Sequence, residues 1–350
     1  MTERPDREVT SRQRLWAAAR GELCDRVPVS PFGLGTLDPE GEEAAALIRE
    51  TDPFLNVGPG INVFGGANYR AEWRTEGNLD HVTIPTPRGD LHRVIKRTEV
   101  ARHTIEFPCR GPKDLEAFLS IPWEPATPNL NGYRELCSKW GEEALVVMEC
   151  PDAICMPAEL LSAQDFCLLW ADEPGFMAEV VEEAARRAEA YVEVACHAGT
   201  HAFRIIGGEY ASTQLGPKAF DELVVQHDRR LVDLMHTHGA LAYYHNHGPM
   251  MGYLDAIGQI GVDYLDPLEM PPYGDADLGR VREIIAGRFC IVGTFDDMEV
   301  LEKRPVEEIV EAARRRMEQY GKHGICLGGS ASGTYTERAA RAFRGLVKAV

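Results

Sequence analysis

The stretch PKAFDELVVQHDRRLVDLMHTHGALAYYHNH, residues 217–247, contains a helix, a strand and the polar residues that follow the strand. The apolar residues of 217–238 recur at helical spacing, and they are Phe220, Leu223, Val224, Leu231, Leu234 and Met235. Gly239 is suited to end this helix, and the apolar run 240–244 is typical of a buried strand. The stretch therefore predicts a helix–strand unit with two histidines, His245 and His247, directly after the strand.

The same unit recurs from about residue 140 to the C-terminus. Short apolar runs at 144–148, 202–206, 262–265, 289–292 and 324–327 alternate with helical stretches. One further helix is predicted over 305–320, with Pro305 in its first turn and Gly321 at its end. Repeated strand–helix units imply parallel strands joined by right-handed crossovers. We predict a (β/α)8 TIM barrel, with an open doubly wound sheet as the alternative.

The N-terminal third has a different texture. Thr10 or Ser11 is suited to cap a short helix that runs to Arg20, and residues 25–32 resemble a short buried strand. Residues 52–68 are rich in Gly, Pro and Asn and predict a long loop. Two alternating runs, 81–84 and 91–96, flank a Pro/Gly turn and predict a β-hairpin. We therefore expect an N-terminal tail and helix (1–24) and a single barrel domain (25–350) with a β-hairpin insertion around 72–100.

The overall charge excludes several classes of function. The chain has 37 Lys and Arg against 55 Asp and Glu, a formal charge of −18. Nucleic-acid binding needs a basic surface, and the sequence contains no basic run of five residues. It also contains no apolar stretch long enough to span a bilayer and no secretory signal at its start. Nine scattered cysteines without a Cys-x-x-Cys pair indicate reduced thiols, so we expect a cytoplasmic protein.

Acidic and imidazole side chains follow five of the predicted strands. They are Glu149, Glu209, His245, His247, Glu269 and Asp296. In a barrel, the carboxyl ends of the strands meet at one face, here called the mouth, and catalytic groups come from it. Residues two apart in a strand point to the same side, so both histidines can reach one ion.

Two imidazoles and a carboxylate make a workable zinc site with an open fourth position. We predict zinc bound by His245 and His247, with Glu209 or Glu269 as the third ligand. The alternative is that the histidines are ordinary hydrogen-bonding residues of the mouth.

The remaining candidates surround this site. Several carboxylates converging without a counter-charge raise each other's pKa, and a divalent cation relieves that repulsion. Arg204 is the candidate for a local counter-ion. Glu149 and Asp296 are candidates for moving a proton as catalytic residues. The predicted substrate-binding residues are Phe32, Tyr210, Asn246, Met250 and Tyr273. Met250 and Tyr273 would form an apolar rim, with packing inside their loops as the alternative.

A set of loose motifs resembles the uroporphyrinogen decarboxylase superfamily in order and spacing. The motifs run from about residue 10 to the C-terminus and are Ser11-Arg-Gln-Arg-Leu-Trp, Asp25-Arg-Val-Pro-Val, Gly208-Glu-Tyr, Leu215-Gly-Pro, His245-Asn-His-Gly248, Gly261-Val-Asp-Tyr-Leu-Asp-Pro-Leu-Glu269, Gly274-Asp-Ala-Asp-Leu278 and Ile325-Cys-Leu with the Gly-Gly-Ser-Ala-Ser that follows it. The resemblance implies a (β/α)8 barrel and allows a homodimer. The namesake enzymes grip a polycarboxylate with arginines after the first strand, whereas residues 31–36 contain none. The resemblance therefore favours the cobalamin-linked methyltransferase branch.

That branch implies a partner protein that carries a corrinoid (cobalamin) and a substrate with a methoxy, amine or thiol group. Its thiol-specific members hold zinc on a His-x-Cys pair and a later Cys, whereas His247 and the region of residues 330–331 occupy those positions here. Zinc on two imidazoles and a carboxylate would act as a Lewis acid on the substrate's heteroatom. A metal-assisted decarboxylase or lyase acting on a small acid, and a non-catalytic corrinoid- or ligand-binding barrel, are the alternatives.

Overall fold

A computed structural model describes residues 9–99, 101–330, 333–348 and 350 of the chain. The strands within these residues are β1 (Phe54–Val57), β2 (Glu72–Glu76), β3 (Leu79–Ile84), β4 (Leu91–Arg97), β5 (Arg102–Glu106), β6 (Leu145–Pro151), β7 (Ala202–Ile206), β8 (Leu241–His245), β9 (Tyr264–Leu268), β10 (Cys290–Thr294) and β11 (Ile325–Gly328). Seven of them form one parallel sheet in the order β1-β6-β7-β8-β9-β10-β11. Because this order follows the chain without reversing, the doubly wound alternative is wrong.

The two edge strands of this sheet approach the same N-terminal segment. Val29 forms a parallel bridge with Leu327 of β11, and Phe32 forms one with Phe54 of β1. The sheet is therefore curled, as the TIM-barrel prediction requires, but a regular eighth strand does not close it. The reason is local: Pro28 and Pro31 have no amide hydrogen, so the predicted strand 25–32 cannot form a continuous ladder.

Helices precede, separate and follow the strands of the parallel sheet. They are α1 (Ser11–Ala19), α2 (Glu42–Glu50), α3 (Pro112–Leu119), α4 (Asn131–Trp140), α5 (Cys155–Leu160), α6 (Ala163–Asp172), α7 (Pro174–His197), α8 (Gly208–Gln214), α9 (Pro217–Phe220), α10 (Gln226–Thr237), α11 (Leu254–Ile260), α12 (Leu278–Ile285), α13 (Val306–Tyr320) and α14 (Glu337–Val347). The predicted helix 305–320 is confirmed as α13. The predicted helix 217–238 is interrupted, because a π-helical turn at Asp221–Val225 separates α9 from α10. None of the described helices combines the length and apolar composition that crossing a membrane requires.

The inner face of the curled sheet is a small core that α1 closes at the amino end. Leu15 is fully buried in this core beside Tyr243 and Tyr264, and the Tyr264 hydroxyl donates a hydrogen bond of 2.6 Å to the Leu15 carbonyl oxygen. Thr10 caps α1 as predicted, in a reciprocal pair of hydrogen bonds with Gln13. Because the amino end is filled, side chains at the carboxyl ends of the strands are the ones left facing a mouth. The predicted N-terminal tail, residues 1–8, lies outside the described residues.

The predicted β-hairpin is present as β3 and β4, within a larger antiparallel sheet of order β2-β3-β4-β5. The outer strands β2 and β5 were missed because nearly all their side chains are exposed and show no apolar alternation. Strand β1 was missed as well, since it is four residues long and lies inside the predicted loop 52–68. The antiparallel sheet therefore reaches beyond the expected 72–100.

Candidate active site

His245 lies at the carboxyl end of β8, directly opposite Asp266 of β9 in the sheet register. Its Nδ1 is 2.9 Å from the Asp266 Oδ2, and the imidazole is almost completely buried. A carboxylate at this distance accepts the Nδ1 proton, which leaves a lone pair on Nε2. Burial lowers the pKa of His245 despite the neighbouring carboxylate, so the ring is neutral at neutral pH.

His247 pairs with a different carboxylate, that of Glu269, which directly follows β9. Its Nδ1 is 3.4 Å from the Glu269 Oε2, and the same oxygen accepts a 2.8 Å hydrogen bond from the Gly248 amide. Burial opposes the charged imidazole, but the contact with Glu269 and the nearby carboxylates outweigh it and raise the pKa of His247. Burial alone would raise the pKa of Glu269, but His247 and the Gly248 amide lower it overall.

The two imidazoles lie together, as the spacing predicted. Their ring centroids are 4.6 Å apart with the rings nearly perpendicular. In each ring, Nδ1 is the atom that contacts a carboxylate. In the described part of the chain, neither Nε2 has a hydrogen-bond partner. This arrangement leaves two imidazole nitrogens available for a ligand.

The predicted third ligands are close by but do not converge on the histidines. Glu209 lies in the first turn of α8, and its Oε2 is buried without a hydrogen-bond partner among the described residues. Glu269 contacts His247 rather than both rings. Across the described residues, no three of His245, His247, Glu209 and Glu269 have their ligand atoms within 4.8 Å of one another. The structure thus brings the four residues to one region, where Glu269 pairs with His247 and Glu209 lies nearby.

Glu149 has the counter-charge that Arg204 was expected to provide. Its Oε1 accepts hydrogen bonds from Asn56 at 2.8 Å and from Arg204 at 3.3 Å. The Arg204 guanidinium lies 4.3 Å from the centroid of the Phe32 ring, inside the curled sheet. The prediction that Arg204 is a local counter-ion is therefore confirmed at Glu149. The predicted upward pKa shift is wrong for Glu269, whose pKa is lowered.

Asp296 lies on the opposite side of the mouth from Glu149, and its carboxylate already makes a capping hydrogen bond. Its Oδ1 accepts a 2.6 Å hydrogen bond from the Glu299 amide and so caps the π-helical turn Asp297–Leu301. Asp296 lines a cavity of about 220 Å³ together with Glu269 and Tyr273. Because Glu269 lines this cavity and also contacts His247, the cavity lies next to the histidine pair.

The predicted substrate-binding residues differ in accessibility. Tyr273 is half-exposed in the loop after β9, and Tyr210 is partly buried on α8 beside Glu209. Asn246 is fully buried and donates a hydrogen bond to the Ser212 hydroxyl. Met250 is 1% exposed and its sulfur accepts a hydrogen bond from Asn246, so the prediction that it forms an apolar rim is wrong. It packs behind the mouth instead.

Three acidic groups of this region were missed. Asp266 lies inside an apolar run before a proline, and only the pairing of β8 with β9 places its carboxylate opposite His245. Asp152 follows β6 and is fully buried beside Asp228 of α10. Burial raises the pKa of Asp228 to about 7 and that of Asp152 well above its usual range. A Cβ atom at Gly207 would lie 1.9 Å from the Asp152 Oδ1, so this pair supports the Gly207-Gly208-Glu209 turn from below.

The sequence matches a family model over this half of the molecule. The model described as Uroporphyrinogen decarboxylase (URO-D) matches residues 155–350, more than half of the chain. The chain belongs to the uroporphyrinogen decarboxylase family. The match includes both histidines, Glu209, Glu269 and Asp296, while Glu149 and Phe32 precede it.

Solved structures extend the comparison to the fold. A methyltransferase from Methanosarcina mazei is similar at a TM-score of 0.68 with 16% identity, covering 98% of each chain. A B12-independent methionine synthase from Shewanella sp. W3-18-1 aligns at a TM-score of 0.46 with 9% identity, over 78% of this chain and 74% of that one. No curated protein sequence matches the chain. The Methanosarcina structure therefore shows a common fold along nearly the whole length.

Proposed function

We propose that this member of the uroporphyrinogen decarboxylase family is a methyltransferase whose active site is the histidine pair at the mouth. The observation that carries the proposal is that His245 and His247 lie side by side with unpartnered Nε2 atoms, each steadied by its own carboxylate. Metal-binding histidines have this arrangement, in which the second nitrogen donates to a carboxylate and fixes the ring. The shared fold with a methyltransferase supports the reaction class.

The donor types at the mouth fit zinc. His245 and His247 would hold it through nitrogen, and Glu209 or Glu269 would complete the set, as in three-ligand catalytic sites. The buried Glu209 Oε2 without a partner in the described residues supports this role, because an unpaired buried carboxylate oxygen is costly. Zinc bound there would act as a Lewis acid on the oxygen, nitrogen or sulfur atom that carries or receives the methyl group.

The surrounding side chains would orient the substrate and move its proton. Glu149 or Asp296 would exchange the proton, and each carboxylate already accepts hydrogen bonds within the protein. Arg204 and Asn56 hold the Glu149 carboxylate at one position at the rim of the inner core. Tyr273 offers exposed aromatic surface at the mouth, whereas Phe32 is buried beneath the Arg204 guanidinium.

The methyl group needs a second carrier, which we propose is a corrinoid on a separate protein. Two large apolar side chains are about half-exposed after β9 and β10, namely Tyr273 in a loop and Met298 in the π-helical turn Asp297–Leu301. They therefore offer contact area at the face from which a corrinoid would have to approach the histidines. The loops at this end of the sheet are where such a partner would dock.

A methyl-exchange assay tests the proposal. Purified protein is mixed with methylcobalamin and a panel of thiols, amines and phenols, and demethylation of the corrinoid is followed by its absorbance. We expect exchange with one class of acceptor, and its loss after removal of metal by a chelator. Turnover of small acids in the absence of any corrinoid would instead support the decarboxylase alternative and contradict methyl transfer.

A further inference from the structure

A second cluster of metal-ligating side chains lies at the other end of the sheet. His197 is the last residue of α7, just before β7, and His238 follows α10, just before β8. Both therefore lie near the amino ends of these strands, whereas His245 and His247 follow the carboxyl end of β8. Glu193, one turn before His197, completes the cluster.

The three side chains are already close enough to share an ion. One ligand atom from each of Glu193, His197 and His238 lies within 4.8 Å of the other two, which holds for no other such group in the described residues. The His238 Nε2 is 3.1 Å from the Glu193 Oε2, and the His197 Nδ1 is 3.5 Å from the Oε1. Ligands at ~2.1 Å from a tetrahedral zinc lie about 3.4 Å apart. The separation between the His238 Nε2 and the Glu193 Oε2 is close to that spacing.

The rest of the α7–α10 contact shows why this cluster is different. Nearer the carboxyl ends of the strands, Arg230 of α10 bridges Glu182 and Glu189 of α7. Glu193 continues the same row of acids, but its partners are the two imidazoles. An arginine has no lone pair to offer a cation, whereas an imidazole does. The amino end of the contact thus contains metal-binding groups where the other end contains a fixed ion pair.

We infer that Glu193, His197 and His238 form a peripheral binding site for a divalent cation such as zinc, separate from the mouth. The carboxyl termini of α7 and α10 both end there, and the negative end of each helix dipole favours a cation. The His197 Nδ1 is also 2.8 Å from the Glu193 carbonyl oxygen, which can only accept, so the ring is held with a lone pair on Nε2. Three protein ligands leave a fourth position for water.

A cation here would tie α7 to α10 and stabilise the fold. In barrels of this type the amino-terminal face contributes to stability rather than to chemistry. A ligand that binds the folded state alone raises the melting temperature in proportion to the logarithm of its concentration over Kd. The inference does not depend on the proposed methyl transfer, because it rests on different residues at a different end of the sheet.

Zinc titration of the full chain by calorimetry, with melting curves, tests the site. The variant His197→Ala/His238→Ala is compared with wild type and with His236→Ala, a control on α10 whose imidazole contacts Asp263 instead. We expect the double variant to bind one zinc ion fewer per chain and to lose the zinc-dependent rise in melting temperature, while the control keeps both. All three histidines are at least partly exposed, so correct folding is checked by circular dichroism without zinc. Equal zinc stoichiometry in wild type and double variant would overturn the inference.

Discussion

The two ends of the curled sheet use the same residue types in opposite ways. At the mouth, two histidines each pair with their own carboxylate, and His245 is almost completely buried while His247 is partly exposed. At the amino end, two exposed histidines share one glutamate. A carboxylate that pairs with a single histidine fixes that ring and leaves its second nitrogen free to bind a ligand. A carboxylate that contacts two histidines already brings three metal-binding groups together. The difference indicates a chemical role for the mouth and a stabilising role for the other end.

Removal of His247 should have the largest effect. It is the more accessible imidazole of the mouth, so His247→Ala is expected to fold and to lose its contact with Glu269. We expect methyl exchange to fall by more than the ~10–100-fold that is typical for loss of an outer-shell partner, because a ligand itself is removed. The matched control is His236→Ala, measured in the same assay. Equal rates in the two variants would show that the mouth is not the reaction site.

Loss of the carboxylate behind His245 should have the next largest effect. Asp266→Asn keeps the size of the side chain but weakens its hold on the His245 Nδ1. We expect metal affinity and exchange rate to fall by ~10–100-fold. The experiment is a chelator competition that reports metal affinity, together with the exchange assay. A variant with unchanged affinity and rate would show that Asp266 is not needed to orient the ring.

The buried acid pair below the mouth predicts a pH effect on stability. Burial raises the pKa of Asp228 to about 7, so the folded protein keeps a proton that the unfolded chain releases above about pH 4. Stability contributed by this group is therefore present at low pH and lost as the pH rises to about 7. Relative to wild type, Asp228→Asn should gain ~2 kcal/mol in free energy of unfolding at pH 8 compared with pH 5. Urea unfolding at both pH values measures this difference.

The exposed Asp233, on the same helix, provides the control for that experiment. Asp233→Asn should change the free energy of unfolding by the same small amount at pH 5 and pH 8. If Asp228→Asn behaves in the same way as Asp233→Asn, the buried pair does not hold a proton near neutral pH.

The smallest effect on activity is expected at the amino end. His197→Ala/His238→Ala should leave the methyl-exchange rate within about twofold of wild type, since exposed substitutions away from the site rarely matter. A loss comparable to that of His247→Ala would remove the distinction between the two ends. The exchange assay at saturating metal is the measurement.

The parts of the fold with strong apolar periodicity could be predicted from the sequence. The predicted runs 240–244 and 324–327 became β8 and β11 with each end shifted by one residue, since these strands are buried on both faces. The outer strand β2 could not be predicted, because every one of its side chains is exposed. The segment from Pro28 to Pro31 has the composition of a strand but lacks the amide hydrogens for a full ladder.

The site residues that directly follow a strand could be predicted from the sequence. The contacts that depend on how two strands pair could not. His245 and His247 are adjacent, as their spacing indicated. That Asp266 accepts from His245 depends on the register of β8 and β9, which no local pattern encodes. The burial of Met250 likewise depends on its contact with Asn246.

The zinc content of the His197→Ala/His238→Ala variant tests the central claim most directly, because the peripheral site no longer contributes. After purification without chelator, metal analysis should find about one zinc ion per chain, and the further change His247→Ala should remove it. Less than about a tenth of an ion per chain in the double variant would contradict a zinc centre at the mouth.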